Sequence, residues 1–199
     1  MSTIRKLKGL LFAVLFDCAL GLASLYIWSW ILPYHVGMPI LVGYAIAMFL
    51  AVLPDLDVLM QKAMEGKITG THKNIMHYPL VIVPLVSLVA FLIFGFSWFW
   101  SLVAATALLV HYVHDTVEIG PGIAWLAPFN TKAKYRLRRL EGEIRFRMTP
   151  EELAVRGAIT LEEWLEKEYL RITPASVGGT VFFFIMVILV LYEQFYISF

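Results

Sequence analysis

Five stretches of the chain are apolar and free of Lys and Arg over lengths that read as membrane-crossing helices: Leu10–Leu32, about Pro39–Leu53, about Pro79–Phe94, about Trp98–Asp115 and Ser176 to about Tyr196. A helix that crosses a bilayer needs about 20 predominantly apolar residues. Pro54 stops the second stretch, because a proline ring cannot continue a helix without losing a backbone hydrogen bond. Only Gly95–Ser97 separates the third from the fourth, so these two are expected to form an antiparallel hairpin. The first begins with Arg5, Lys6 and Lys8 and contains Gly21 and Ala23, features that a cleaved signal peptide shares. Its apolar sequence runs on to Leu32, longer than a typical signal core, which favours a retained span.

Between the fourth and fifth stretches the pattern changes, and residues 130–175 look soluble, with ten basic and eight acidic side chains. Thr149-Pro150-Glu151-Glu152 and Thr160-Leu161-Glu162-Glu163 each place a threonine three residues ahead of a glutamate, the capping-box spacing. Short helices are expected over about 150–156 and 161–170. Upstream, Arg136–Arg147 alternates polar and apolar residues around Glu141-Gly142, a hairpin pattern. The expected fold is an all-α membrane protein of about five transmembrane helices, with a small α or α+β insertion on the cytoplasmic side. Its parts are a four-helix region over 1–129, the insertion over 130–175 and a C-terminal helix over 176–199. The insertion reads first as a solvated cap with a basic face against anionic headgroups. Substrate recruitment is the alternative role.

Composition agrees with the pattern and adds sidedness. Of 199 residues, 60% are hydrophobic and 16% charged, against about 25% charged in soluble domains. The net charge of +1 gives no support for a nucleic-acid partner. The single cysteine, Cys18, excludes an internal disulfide and a cysteine-cluster metal site. All 16 basic residues fall before the first stretch, between the second and third, or between the fourth and fifth. With five spans these segments share one face, which basic residues mark as cytoplasmic. The N-terminus is then inside and the C-terminus outside. His35, in an outer connection, reads as an interfacial side chain.

Ionisable residues at a membrane edge are costly and so point to function. Asp55 and Asp57 follow Pro54, His72 and His77 precede the third stretch, and His111, His114 and Asp115 close the fourth. Five-span threading puts all three groups at the cytoplasmic edge. His111 and Asp115, four apart, share one helix face and can reach one metal ion, although a hydrogen-bonded pair explains that spacing too. An Asp-Leu-Asp after proline also suits a plain helix terminus, and His72 and His77 taken alone suit an interface. Imidazole nitrogen with carboxylate oxygen, and no thiolate, suits a divalent metal: Zn first, with Mn or Fe as alternatives. An open position on such an ion would activate water for hydrolysis.

These residues resemble the membrane-bound metal-dependent hydrolase family often called YdjM-like. The resemblance rests on Pro54-Asp55-Leu56-Asp57, then His72-Lys73-Asn74-Ile75-Met76-His77, then His111-Tyr112-Val113-His114-Asp115, then Ala127-Pro128-Phe129, in that order over about residues 10–130. Lys73 and Met76 stand where the family usually has Arg and Thr, which weakens a phosphate-binding role for that loop. Asp17 and Gly21 occupy the positions of a family His-x-x-x-Gly on the first helix. Asp17 is therefore either a substitute ligand or a helix-packing hydrogen-bond partner.

The resemblance implies metal-dependent hydrolysis, in a bacterial or archaeal inner (plasma) membrane. The expected metal residues are Asp17, Asp55, Asp57, His72, His77, His111 and Asp115. Asp55, His114 and Lys73 are the candidates for a part in the reaction, Lys73 by offsetting developing negative charge. Gly120, Pro121 and Gly122 would shape a loop over the site, with Trp125 and Phe129 seating it at the headgroups. The expected substrate is a phosphoester or similar group on a membrane lipid or lipid-linked molecule. The rival reading is a non-catalytic metal-binding or ion-translocating membrane protein, and translocation would place ligands near the bilayer midplane. A structural membrane protein would bind no metal.

Overall fold

The computed structural model describes residues 3–32, 39–57, 75–117, 122–140, 143–157, 163 and 172–196. Its elements run α1 (Thr3–Ile31), α2 (Ile40–Val52), a 3-10 turn (Leu53–Leu56), a second 3-10 turn (Ile75–His77), α3 (Pro79–Ile93), α4 (Trp98–Val117), β1 (Tyr135–Leu140), β2 (Glu143–Arg147), α5 (Pro150–Gly157) and α6 (Pro174–Tyr196). The five apolar stretches all become helices, and α3 and α4 form the expected hairpin. Gly95 and Phe96 make its turn with φ of 69° and 61°, a left-handed conformation that glycine adopts without steric cost.

Helix α1 packs along α2, α4 and α6, and α2 also packs on α4. The shared core contains Leu22, Leu25, Ala47, Trp100, Val103 and Met186. At Gly21 the backbones of α1 and α2 approach closely, since a Cβ there would collide with the Ala47 backbone. Small residues permit such approach where lipid supplies no hydrophobic drive between helices. The outward faces are apolar: Leu85, Leu88 and Leu92 on α3, and Val181, Phe184 and Ile188 on α6, are all exposed. That arrangement suits a hydrocarbon surrounding better than water.

Helix number and position follow the sequence pattern, but the length of the helices qualifies the span count. Among the described residues two helical segments are long and apolar enough to cross a membrane, Leu7–Ile31 and Pro174–Glu193, where five were expected. Ile40–Leu56 and Pro79–Ile93 are shorter apolar helices. At about 1.5 Å rise per residue, the 15-residue α3 extends about 22 Å, less than a hydrocarbon core of about 30 Å. In α4, His111, His114 and Asp115 occupy the last two turns and shorten its apolar run.

In the insertion, β1 and β2 pair antiparallel, as the alternation around Glu141-Gly142 predicts, with a register shift between Tyr135 and Arg138. The capping box forms as well. Thr149 N–H donates to Glu152 Oε2 at 2.7 Å, Glu152 N–H donates back to Thr149 Oγ1 at 3.3 Å, and α5 follows. The sheet is tied to α3 and α4 through Ile123, which exchanges two 2.9 Å backbone hydrogen bonds with Tyr135 and packs with Ile82, Leu108 and Tyr112. His35, the loop at Gly120-Pro121, the Thr160 capping box and nearly all of the helix expected over 161–170 lie outside the described residues.

Candidate metal centre

Three elements converge at one end of the helices. Pro54 breaks α2 into the 3-10 turn, and the tighter winding aims Asp55 and Asp57 at different atoms. His77 ends the second 3-10 turn, which Tyr112 secures by donating its hydroxyl to Met76 O at 2.7 Å. His111 and Asp115 come from one face of α4, as their spacing predicts. One atom from each of Asp55, His77, His111 and Asp115 lies within 4.8 Å of each of the others.

The distances suit a small ion. His77 Nε2 is 3.6 Å from Asp55 Oδ1 and 3.2 Å from Asp115 Oδ2, and His111 Nε2 is 3.7 and 3.8 Å from the same two oxygens. Ligands about 2.0–2.2 Å from a tetrahedral zinc stand about 3.3–3.6 Å apart. Four edges of the donor tetrahedron are therefore close to that spacing without rearrangement.

The far nitrogen of each ring meets another carboxylate. Asp57 Oδ2 lies 3.0 Å from His77 Nδ1, and Asp17 Oδ1 lies 3.0 Å from His111 Nδ1. An ionised carboxylate only accepts, so each Nδ1 carries a hydrogen and each Nε2 faces the centre, where it offers a lone pair once it holds no proton of its own. Metal-ligating histidines are commonly oriented this way. Among the described residues His111 Nε2 is buried with no hydrogen-bond partner, a costly condition that a ligated cation relieves.

Charge points the same way. Asp17, Asp55, Asp57 and Asp115 have side chains only 5%, 10%, 4% and 13% exposed around two buried imidazoles. Buried carboxylates require compensation. At His77, burial disfavours the charged ring, but Asp115, Asp55 and Asp57 outweigh it and push the pKa up to about 10. The cluster thus attracts positive charge, and its nitrogen and oxygen donors fit a divalent ion.

Of the residues expected to bind metal, Asp55, His77, His111 and Asp115 converge. Asp57 and Asp17 each meet the Nδ1 of a histidine, Asp17 through a contact between α1 and α4. His114 Nδ1 is 3.6 Å from Asp17 Oδ1, and its ring meets Phe16 edge-on with centroids 4.3 Å apart. His72 and Lys73 lie outside the described residues. Ala127 is buried and Phe129 89% exposed, on a turn whose Trp125 packs against Tyr112. Sequence reasoning missed Tyr112. Its signal was a tyrosine next to His111 on a helix, since a buried hydroxyl needs a partner.

In comparison with known proteins, the family described as YdjM inner membrane protein matches the chain over residues 11–197. No curated protein and no solved structure matches it.

Proposed function

From the chain's membership of the YdjM inner membrane protein family, we propose that it is an integral membrane metal-dependent hydrolase whose His/Asp centre acts at the cytoplasmic membrane edge. One observation carries this reading: two imidazole Nε2 atoms and two carboxylate oxygens converge within 4.8 Å, each ring backed by a carboxylate at 3.0 Å. Asp55, His77, His111 and Asp115 would hold the ion, zinc first and manganese or iron next. When bound, such an ion supplies Lewis acidity toward a phosphoester or similar group. Asp17 and Asp57 hold the rings in place, and tight burial around the histidines keeps bulk water from them. Asp55 and Asp115 form the more exposed side, from which a substrate approaches. Lys73, two residues before the described segment begins, offsets negative charge developing on that substrate. His114 stands one helical turn from His111 as a proton carrier.

In this reading all five apolar helices cross the membrane, the short ones by locally thinning the bilayer. Confinement of all 16 basic residues to three segments supports a cytoplasmic N-terminus and an external C-terminus. The substrate is a membrane lipid or lipid-linked molecule reaching the centre from the headgroup layer. Ion translocation is less well supported, because buried Leu25, Trp100, Val103, Ala104 and Ala107 fill the interior beyond the centre.

Hydrolysis of a phospholipid panel by purified protein in proteoliposomes, with and without chelator, tests the activity. Release of a phosphorylated or dephosphorylated product that stops with chelator and returns with zinc is expected. No metal-dependent product across the panel would contradict lipid phosphoester hydrolysis.

A further inference from the structure

We propose that the turn Trp125–Phe129 is an interfacial anchor that enters the surface of an anionic bilayer beside the end of α4, with Lys132 against the headgroup phosphates. The proposal rests on the chain's residence in a membrane and not on hydrolysis.

Phe129 is 89% exposed and Leu126 44% exposed, although Ile123 and Ala127, on the same segment, are fully buried. The exposed side chains are rigidly presented. Ala127 N–H donates to Ala124 O at 3.0 Å, and Asn130 N–H to Leu126 O at 2.9 Å. Asn130 Oδ1 accepts from Ala133 N–H at 3.0 Å. Water would solvate this apolar tip at a cost, whereas a bilayer interface accommodates aromatic rings.

The level of the turn is fixed by a second contact. Trp125 Nε1 donates to Thr116 Oγ1 at 2.9 Å, and Thr116 lies in the last turn of α4. The tip therefore stands beside the end of a helix whose Val113 and Val117 are also exposed. Three residues after Phe129, exposed Lys132 adds positive charge. Apolar residues with adjacent cations complement an anionic lipid surface, the apolar part entering the acyl boundary and the cation meeting phosphate.

The test uses full-length protein with Cys18→Ala, carrying a spin label at Phe129→Cys or, as an aqueous reference, at Glu151→Cys. Both native side chains are exposed, so neither label disturbs the core. In proteoliposomes containing phosphatidylglycerol, the label at 129 should favour oxygen over a nickel chelate several-fold relative to 151, and the preference should fall in purely zwitterionic vesicles. Equal nickel access at 129 and 151 would overturn the anchor. Indifference to lipid charge would overturn the headgroup contact of Lys132. Dipolar broadening between labels at 129 would assign the tip to a second copy of the chain, and so overturn a lipid occupant.

Discussion

Asp17 Oδ1 lies 3.0 Å from His111 Nδ1 across 94 positions of sequence, joining the first long helix to the candidate metal centre. A carboxylate so placed fixes the ring's tautomer and direction, and so turns Nε2 toward Asp55 and Asp115. Loss of such a partner commonly weakens metal binding about 10–100-fold. Asp17→Ala should therefore raise the Kd for zinc by that factor, read by competition with a chelator of known affinity. Asp17→Glu should recover part of the loss. Unchanged affinity in Asp17→Ala would reduce the contact to helix packing.

Tyr112 tests the other side of the centre. Its hydroxyl holds Met76 O at 2.7 Å, one residue before His77. Tyr112→Phe leaves that carbonyl without the bond, at a cost of about 1–3 kcal/mol, and loosens the 3-10 turn that carries His77. Lower thermal stability and weaker zinc binding are both expected. A stability loss without any change in zinc affinity would show that the turn does not depend on this bond.

Proton and metal compete for His77. Its pKa is raised to about 10 by Asp115, Asp55 and Asp57, against the opposing effect of burial. A group whose folded pKa is raised contributes stability that is fully present below its ordinary value near 6.5 and is lost as pH rises through the folded one. Chelated protein should therefore lose stability progressively between about pH 6.5 and 10. Metal affinity should rise over the same interval, because the ion displaces a proton. Thermal melts and zinc titrations across that range measure both. Zinc affinity independent of pH would exclude His77 from the ligands.

Gly21 separates packing from chemistry. A Cβ at this position meets the Ala47 backbone, which cannot retreat as a flexible side chain could. Gly21→Val should force α1 from α2 and destabilise the protein by about 1–3 kcal/mol. A lowered melting temperature in detergent is the readout, and an unchanged one would mean that the two helices separate easily.

The sequence was most legible where a single period or motif determined the outcome. Apolar runs located the helices, the Gly95–Ser97 gap located the α3–α4 turn, and Thr149 with Glu152 marked the start of α5. His111 and Asp115 were legible as a pair because four residues return a helix to the same face. Span number was less so, since apolar composition alone does not show whether a helix is long enough to cross: α2 and α3 run 13 and 15 residues, short of the about 20 a span needs. The division of labour among the aspartates was not legible at all. Whether Asp17 and Asp57 ligate a metal or orient a histidine depends on which nitrogen they meet, and that follows from the approach of α1 to α4 and of one 3-10 turn to the other. Long-range packing sets those approaches, and local spacing does not encode them.

Metal content most directly tests the central claim. Detergent-purified wild-type protein and a His111→Ala/Asp115→Ala variant should be measured by elemental analysis, with X-ray absorption on the bound metal. The expected result is about one divalent ion per wild-type chain, coordinated by nitrogen and oxygen at about 2.0–2.2 Å, and little in the folded variant. Absence of metal from the wild type after zinc, manganese and iron supplementation, or equal content in both proteins, would contradict a metal centre built from these residues.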